Sequence, residues 1–167
     1  MITSARRAAV MVGVATVLVA GPAWAVPQQA PAAVSNSDLA VVRIDPEDTQ
    51  PGGVVTVHAF VSNLGPDRTA SPMTITVNLP RGTQPEGPYF PDDCQVSPNQ
   101  RRVLCEFPAG LGSKRSATAQ VPIRLDPDLR AGQTIRGSYS VSSPDDRNPS
   151  NNRTEFEIRV AETEPDA

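Results

Sequence analysis

The chain predicts an immunoglobulin-like β-sandwich, two stacked antiparallel sheets of about seven strands. Three observations carry that prediction. Apolar and polar side chains alternate with period two through much of residues 38–160, turn signals recur about every ten residues, and no segment sustains a helical period. A sheet of such strands has one greasy face, and stacking two sheets about 10 Å apart buries both. A closed barrel would satisfy the same pattern and stays open as the alternative. The 18 prolines and the 4% aromatic content favour short strands with stiff turns over helices.

Asp38-Leu39-Ala40-Val41-Val42-Arg43-Ile44 reads as a first strand, stopped by Asp45-Pro46. Gly52-Gly53 opens a second, in which Val55, Val57, Ala59 and Val61 alternate with Thr56, His58, Phe60 and Ser62. The first set is core and the second is wet. Asn63-Leu64-Gly65-Pro66 turns the chain, and Met73, Ile75, Val77 and Leu79 mark a third strand that Pro80-Arg81-Gly82 ends. Thr83 to Gln100, with Pro85, Pro88, Pro91 and Pro98, reads as a long irregular segment. Val103, Cys105 and Phe107 share a face of the next strand. Ala117, Ala119, Val121, Ile123 and Leu125 line a longer one, where Pro122 predicts an edge position or a bulge. Asp126-Pro127 ends it. Ile135, Gly137, Tyr139 and Val141 share the following face, and Thr154, Phe156, Ile158 and Val160 the last.

Residues 1–25 read as a secretory signal peptide. Arg6 and Arg7 precede the apolar run Ala8 to Ala20, Pro22 breaks it, and Ala23-Trp24-Ala25 offers small residues for cleavage. The run is too short to anchor the chain, since a bilayer core needs roughly 20 apolar residues. The paired arginines lack further support for the twin-arginine route, so ordinary secretion is expected. Cleavage leaves 142 of the 167 residues, enough for one core. Residues 26–37, rich in Pro, Ala and Gln, read as a flexible lead-in, residues 38–160 as the domain and residues 161–167 as an acidic tail. Thirteen basic side chains then face eighteen acidic ones, a formal charge of −5, which opposes binding to nucleic acid or anionic membrane.

Cys94 and Cys105 are the two cysteines, and oxidising surroundings predict a disulfide between them. Closing so short a loop contributes roughly 2 to 3 kcal/mol. A reactive thiol or half of a metal site is the competing reading.

The punctuation of the strands carries a resemblance. Asp38-Leu39-Ala40-Val41, Gly52 before an alternating strand closed by Asn63-Leu64-Gly65-Pro66, then Leu79-Pro80-Arg81-Gly82, Cys94 with Cys105, Leu111-Gly112 and Asp145-Asp146-Arg147-Asn148-Pro149-Ser150-Asn151-Asn152 follow in order. This order resembles a bacterial immunoglobulin-like surface repeat family catalogued only as a domain of unknown function (the eleventh). The resemblance spans residues 38–160 and implies an extracytoplasmic sandwich of surface, cell-wall or secreted proteins, without catalytic residues. Members usually carry tandem copies, whereas this chain shows one and lacks a cell-wall sorting tail.

Candidate chemistry is sparse. His58 is the only histidine, so any Ser-His-Asp arrangement must use it, yet its neighbours turn it outward and no Gly-x-Ser-x-Gly turn accompanies it. Asp145, Asp146, Asn148, Asn151 and Asn152 could offer oxygens to calcium, but Asp and Asn are also the preferred turn formers. Asp92-Asp93 and Asp45-Pro46-Glu47-Asp48 read as solvated loop charges. Lys114 lies in a polar turn, which argues against an amide crosslink, and Arg101-Arg102 lacks the aromatics of a nucleic-acid patch. Tyr89-Phe90 either meets a partner or plugs the core. The expectation is a noncatalytic secreted module with no cofactor, metal or catalytic residue, contacting a protein or glycan of the cell envelope. The alternative is a calcium-dependent binding or adhesion module that uses the loop Asp145 to Asn152.

Overall fold

The structure, a computed structural model, describes residues 33–162. The signal peptide and most of the lead-in and acidic tail lie outside the described residues. Nine strands run through the domain: β1 (Leu39–Val42), β2 (Val54–Asn63), β3 (Met73–Asn78), β4 (Thr83–Pro85), β5 (Gln95–Val96), β6 (Arg102–Phe107), β7 (Ser116–Leu125), β8 (Thr134–Ser142) and β9 (Arg153–Arg159). They form a four-stranded sheet in the order β1-β2-β7-β4 and a five-stranded sheet in the order β5-β6-β3-β8-β9, with antiparallel pairing throughout both. The predicted sandwich is present.

Alternation does what period two demands. Val55, Val57, Ala59 and Val61 of β2, Ala119, Val121, Ile123 and Leu125 of β7, Ile75 and Val77 of β3, and Phe156 and Ile158 of β9 are all buried between the sheets. Tyr139 is the largest side chain in this core, stacked on Phe156 with ring centroids 5.8 Å apart. Cys105 of β6 is buried and joined to half-buried Cys94 by the predicted disulfide, which pins the segment before β5 to the sheet.

Three features depart from the sequence reading. Thr83 to Gln100 is not wholly irregular, because Thr83, Gln84 and Pro85 pair with Leu125, Arg124 and Ile123, and Gln95 and Val96 pair with Leu104 and Val103. These strands are too short to show a period and exist because a longer strand templates them. Pro122 lies on neither an edge nor a bulge. It pairs with Thr56 in unbroken register, and its carbonyl accepts the Glu86 N–H at 2.9 Å on the flank where β4 has just ended. Its missing N–H therefore costs only the return bond at the point where the ladder stops. The docked chain also begins earlier than residue 38. Ser37 is buried and bridges to Asp146, the Ser35 N–H donates to Asp145, and the Asn36 N–H donates to Asp67.

At the far end of β1 the chain changes sheets. The Tyr139 hydroxyl donates to the Val42 carbonyl at 2.6 Å and accepts the Ile44 N–H at 2.8 Å. In the β1–β2 register Val42 faces Phe60, so Ile44 would have faced His58. Instead the chain crosses to β9, where the Asp45 carboxylate accepts the Glu157 N–H at 2.8 Å and the Thr49 N–H donates to the Arg159 carbonyl. This crossing covers part of the exposed edge of β9, a common defence against edge-to-edge pairing. Tyr139→Phe should leave the Ile44 N–H without its acceptor and the Val42 carbonyl, which pairs with Phe60, with one donor fewer, and lower stability by about 1 to 2 kcal/mol in urea unfolding. An unchanged midpoint would refute this role.

Candidate functional site

The candidate site is the outer face of the four-stranded sheet, because that is where exposed apolar side chains gather on a regular surface. Phe60 belongs to the outward set of β2 and faces Val42 of β1 on one side and Thr118 of β7 on the other. Val42 is 43% exposed, a large value for a valine on a strand. In the next row His58 faces Gln120, and Gln120 exchanges backbone hydrogen bonds with Phe90 at 2.9 and 3.1 Å. Paired residues share a face, so Phe90 lies on this surface and is 54% exposed. Tyr89, one residue earlier, points the other way and packs against the core. Of the pair, Tyr89 thus takes the core-plugging role, and Phe90 is left on the surface.

His58 is exposed on a strand surface, as its position in the alternation predicts, and has no serine or carboxylate hydrogen-bonded to it among the described residues. Lys114 is exposed in its turn. The opposite outer face, on the five-stranded sheet, is different. Its middle rows carry Thr74, Thr76 and Asn78 of β3 beside Ser138, Ser140 and Ser142 of β8, with Arg153, Glu155 and Arg159 exposed along β9 and one exposed apolar side chain, Leu104 of β6, beside Thr76. Small hydroxyls make a poor interface core, whereas aromatic side chains are enriched there.

The loop Asp145 to Asn152 ties the end of the sandwich together. Asp145 is fully buried. Its Oδ2 accepts the N–H groups of Ala70 and Ser71, each at 2.6 Å, and its Oδ1 accepts the Ser35 N–H at 3.0 Å and the Ser71 hydroxyl at 3.2 Å. Burial alone would push this carboxyl upward in pKa. The donors from Ser71, Ser35 and Ala70 outweigh it, and the net result lies below the usual carboxylate value. Asp146 Oδ1 accepts the N–H groups of Leu39 and Asn148, and its Oδ2 accepts Asn152 Nδ2–H. Asn151 donates to Asp38 at 2.9 Å. The carboxylates of Asp145 and Asp146 are engaged by N–H donors, which is the turn-forming role, and no group of three or more His, Cys, Asp or Glu side chains is placed to hold a metal ion among the described residues.

One further element of the face was missed from sequence. Beside β2 an open groove of about 500 Å³ runs between the crossing segment Ile44 to Thr49 and the strand positions Val54, Thr56 and His58. Phe60 was equally legible as an aromatic on the polar register of an amphipathic strand, a signal for a contact residue that the sequence reading passed over.

No family model matches the chain, and no curated protein matches it. Solved structures share its architecture. The third cohesin ScaC of Acetivibrio cellulolyticus, solved in complex with the ScaB dockerin, is 13% identical with a TM-score of 0.51, over 74% of this chain and 99% of that one. The seventh ScaB type I cohesin of Pseudobacteroides cellulosolvens is 15% identical with a TM-score of 0.51, over 77% and 95%. BcpA, the major pilin subunit of Bacillus cereus, is 8% identical with a TM-score of 0.50, over 75% of this chain and 39% of that one. At such identities the likeness is one of fold.

Proposed function

We propose that this chain is a noncatalytic extracellular immunoglobulin-like module that binds a protein partner through the outer face of its four-stranded sheet. The single observation that carries the reading is the gathering of Val42, Phe60 and Phe90 on that face, against an opposite face whose central strands carry hydroxyls and amides with Leu104 as a lone apolar neighbour. Aromatic anchors supply much of the affinity of protein interfaces, and ordered strands present them at little entropic cost. The cohesin was solved with a dockerin and BcpA is the major pilin subunit of Bacillus cereus, which supports a protein as the ligand class here. An extracellular or cell-envelope setting is supported by the signal-like first 25 residues, the Cys94–Cys105 disulfide and the ordered motifs that resemble the surface repeat family. No helix among the described residues is long and apolar enough to cross a membrane.

The test is site-specific photocrosslinking. A benzophenone side chain replacing Phe60 or Phe90 should capture a protein from the envelope fraction of the producing cell, while the same group at Thr76 on the opposite sheet should capture none. Equal capture at all three positions, or capture at Thr76 alone, would sink the reading.

A further inference from the structure

We infer that the groove beside β2 is a strand-addition site, which accepts an extended, cationic segment of a partner protein. The inference rests on the binding reading above and assigns its mode of recognition.

Backbone direction makes the case. The Gly53 carbonyl accepts from Leu125, and Asn63 exchanges backbone bonds with Lys114 and Arg115, so odd-numbered residues of this stretch address β7. The register with β7 is unbroken from Val54 to Ser62. Even-numbered residues must therefore direct their N–H and C=O groups to the opposite side. Phe60 and Ser62 meet β1 there, but β1 pairs no further than Val42. Val54, Thr56 and His58 each present one donor and one acceptor to the groove, and no other segment takes them up among the described residues. The Ile44 N–H that would have continued the ladder is held by Tyr139 instead. A row of unpaired strand groups along an open groove is the template that strand addition uses.

Charge and shape select the occupant. The far wall carries Asp45, Glu47 and Asp48, with Ile44 and Pro46 between and beside them. Asp45 is engaged by Arg43 and by the Glu157 N–H, whereas Glu47 and Asp48 have no ion-pair or hydrogen-bond partner among the described residues. An added strand would alternate its side chains, one set over the outer face near His58 and Thr56 and the other toward Ile44, Pro46 and the buried edge at Val55. A segment alternating basic with small apolar residues satisfies both sets. The chain's own acidic C-terminal residues are disfavoured by like charge.

The probe is an end-blocked hexapeptide alternating Lys and Val, titrated into the ¹⁵N-labelled chain. Saturable binding should slow amide exchange at Val54, Thr56 and His58 by about tenfold or more, because exchange requires an open hydrogen bond. N-methylation of alternate peptide residues should abolish binding. Thr56→Pro, which removes a donor the fold does not use, should do the same with the melting curve retained, and Glu47→Lys with Asp48→Lys should weaken binding about tenfold. A Glu-Val hexapeptide should not bind. No saturable binding, binding that survives N-methylation, or shifts confined to other strands would overturn the proposal. Protection of the same three amides that rises with protein concentration, without peptide, would also overturn it by naming a second copy as the occupant. Crosslinking at Phe60 that persists when the peptide fails separates loss of this proposal from loss of the binding reading.

Discussion

Asp145→Ala should be among the most damaging single substitutions in the domain, lowering the unfolding free energy by about 3 kcal/mol and the melting temperature by about 10 °C. The carboxylate is fully buried and holds the N–H groups of Ser35, Ala70 and Ser71. Those donors come from the segment before β1 and the loop before β3, so one side chain joins three stretches of chain distant in sequence. Alanine removes the acceptor and leaves three half-buried N–H groups and the Ser71 hydroxyl without it, which costs more than the hydrogen bonds themselves contribute. Asp145→Asn should recover little, because an amide offers one acceptor where the site uses two oxygens and brings N–H donors toward other donors.

The same side chain imposes a pH dependence whose sign follows from its shift. Burial raises its pKa, hydrogen bonds from Ser71, Ser35 and Ala70 lower it more, and the folded value ends below the unfolded one. The stabilisation is therefore complete above the unfolded carboxylate value of about 3.9 and fades as pH falls through the folded value. Urea unfolding at pH 7 and at pH 3 or below should show the gap between wild type and Asp145→Ala shrinking in acid. A gap that stays constant would mean that the ionised form is not what holds the loops.

Gly137→Ala is expected to be comparably severe, at about 3 kcal/mol. Gly137 faces Phe156 across β8 and β9, and a methyl group there would stand 2.3 Å from the Phe156 ring and 2.8 Å from the Asn78 carbonyl oxygen. The ring is stacked on Tyr139 in the core and the carbonyl belongs to β3, so neither can retreat cheaply. The cost should be coupled to the ring. In a Phe156→Leu background the alanine should cost about half as much or less, which a double-mutant cycle of urea midpoints reads directly. Additive effects would show that the Asn78 carbonyl alone sets the penalty.

Some of this was open to reading in advance. The inner and outer sets of β2 were legible because Val55, Val57, Ala59 and Val61 alternate with Thr56, His58, Phe60 and Ser62 over eight residues. His58 was correctly turned outward by the same pattern. Phe60 was visible there too, as an aromatic in the wet register, though only its neighbours on β1 and β7 make it part of a surface. Phe90 was not assignable, because its face is set by a bridge to Gln120 thirty residues away in sequence. Asp145 gave no local sign of its difference from Asp146. Both sit in a polar run that any turn could use, and the donors that single out Asp145 lie 74, 75 and 110 residues distant.

The division has one physical cause. Period-two alternation, proline stops and a single pair of cysteines behind a signal-like leader can be read along the chain, and they determined an all-β domain with a disulfide expected and which side of each long strand is wet, while the choice of stacked sheets over a closed barrel came from the fold. The departure of β1 from β2 at Ile44, the templating of β4 and β5, and the docking of Ser35 to Ser37 each depend on a hydrogen-bond partner remote along the chain. Only the closed fold brings those partners within 3 Å or so, and it is there that an edge of β2 is left open.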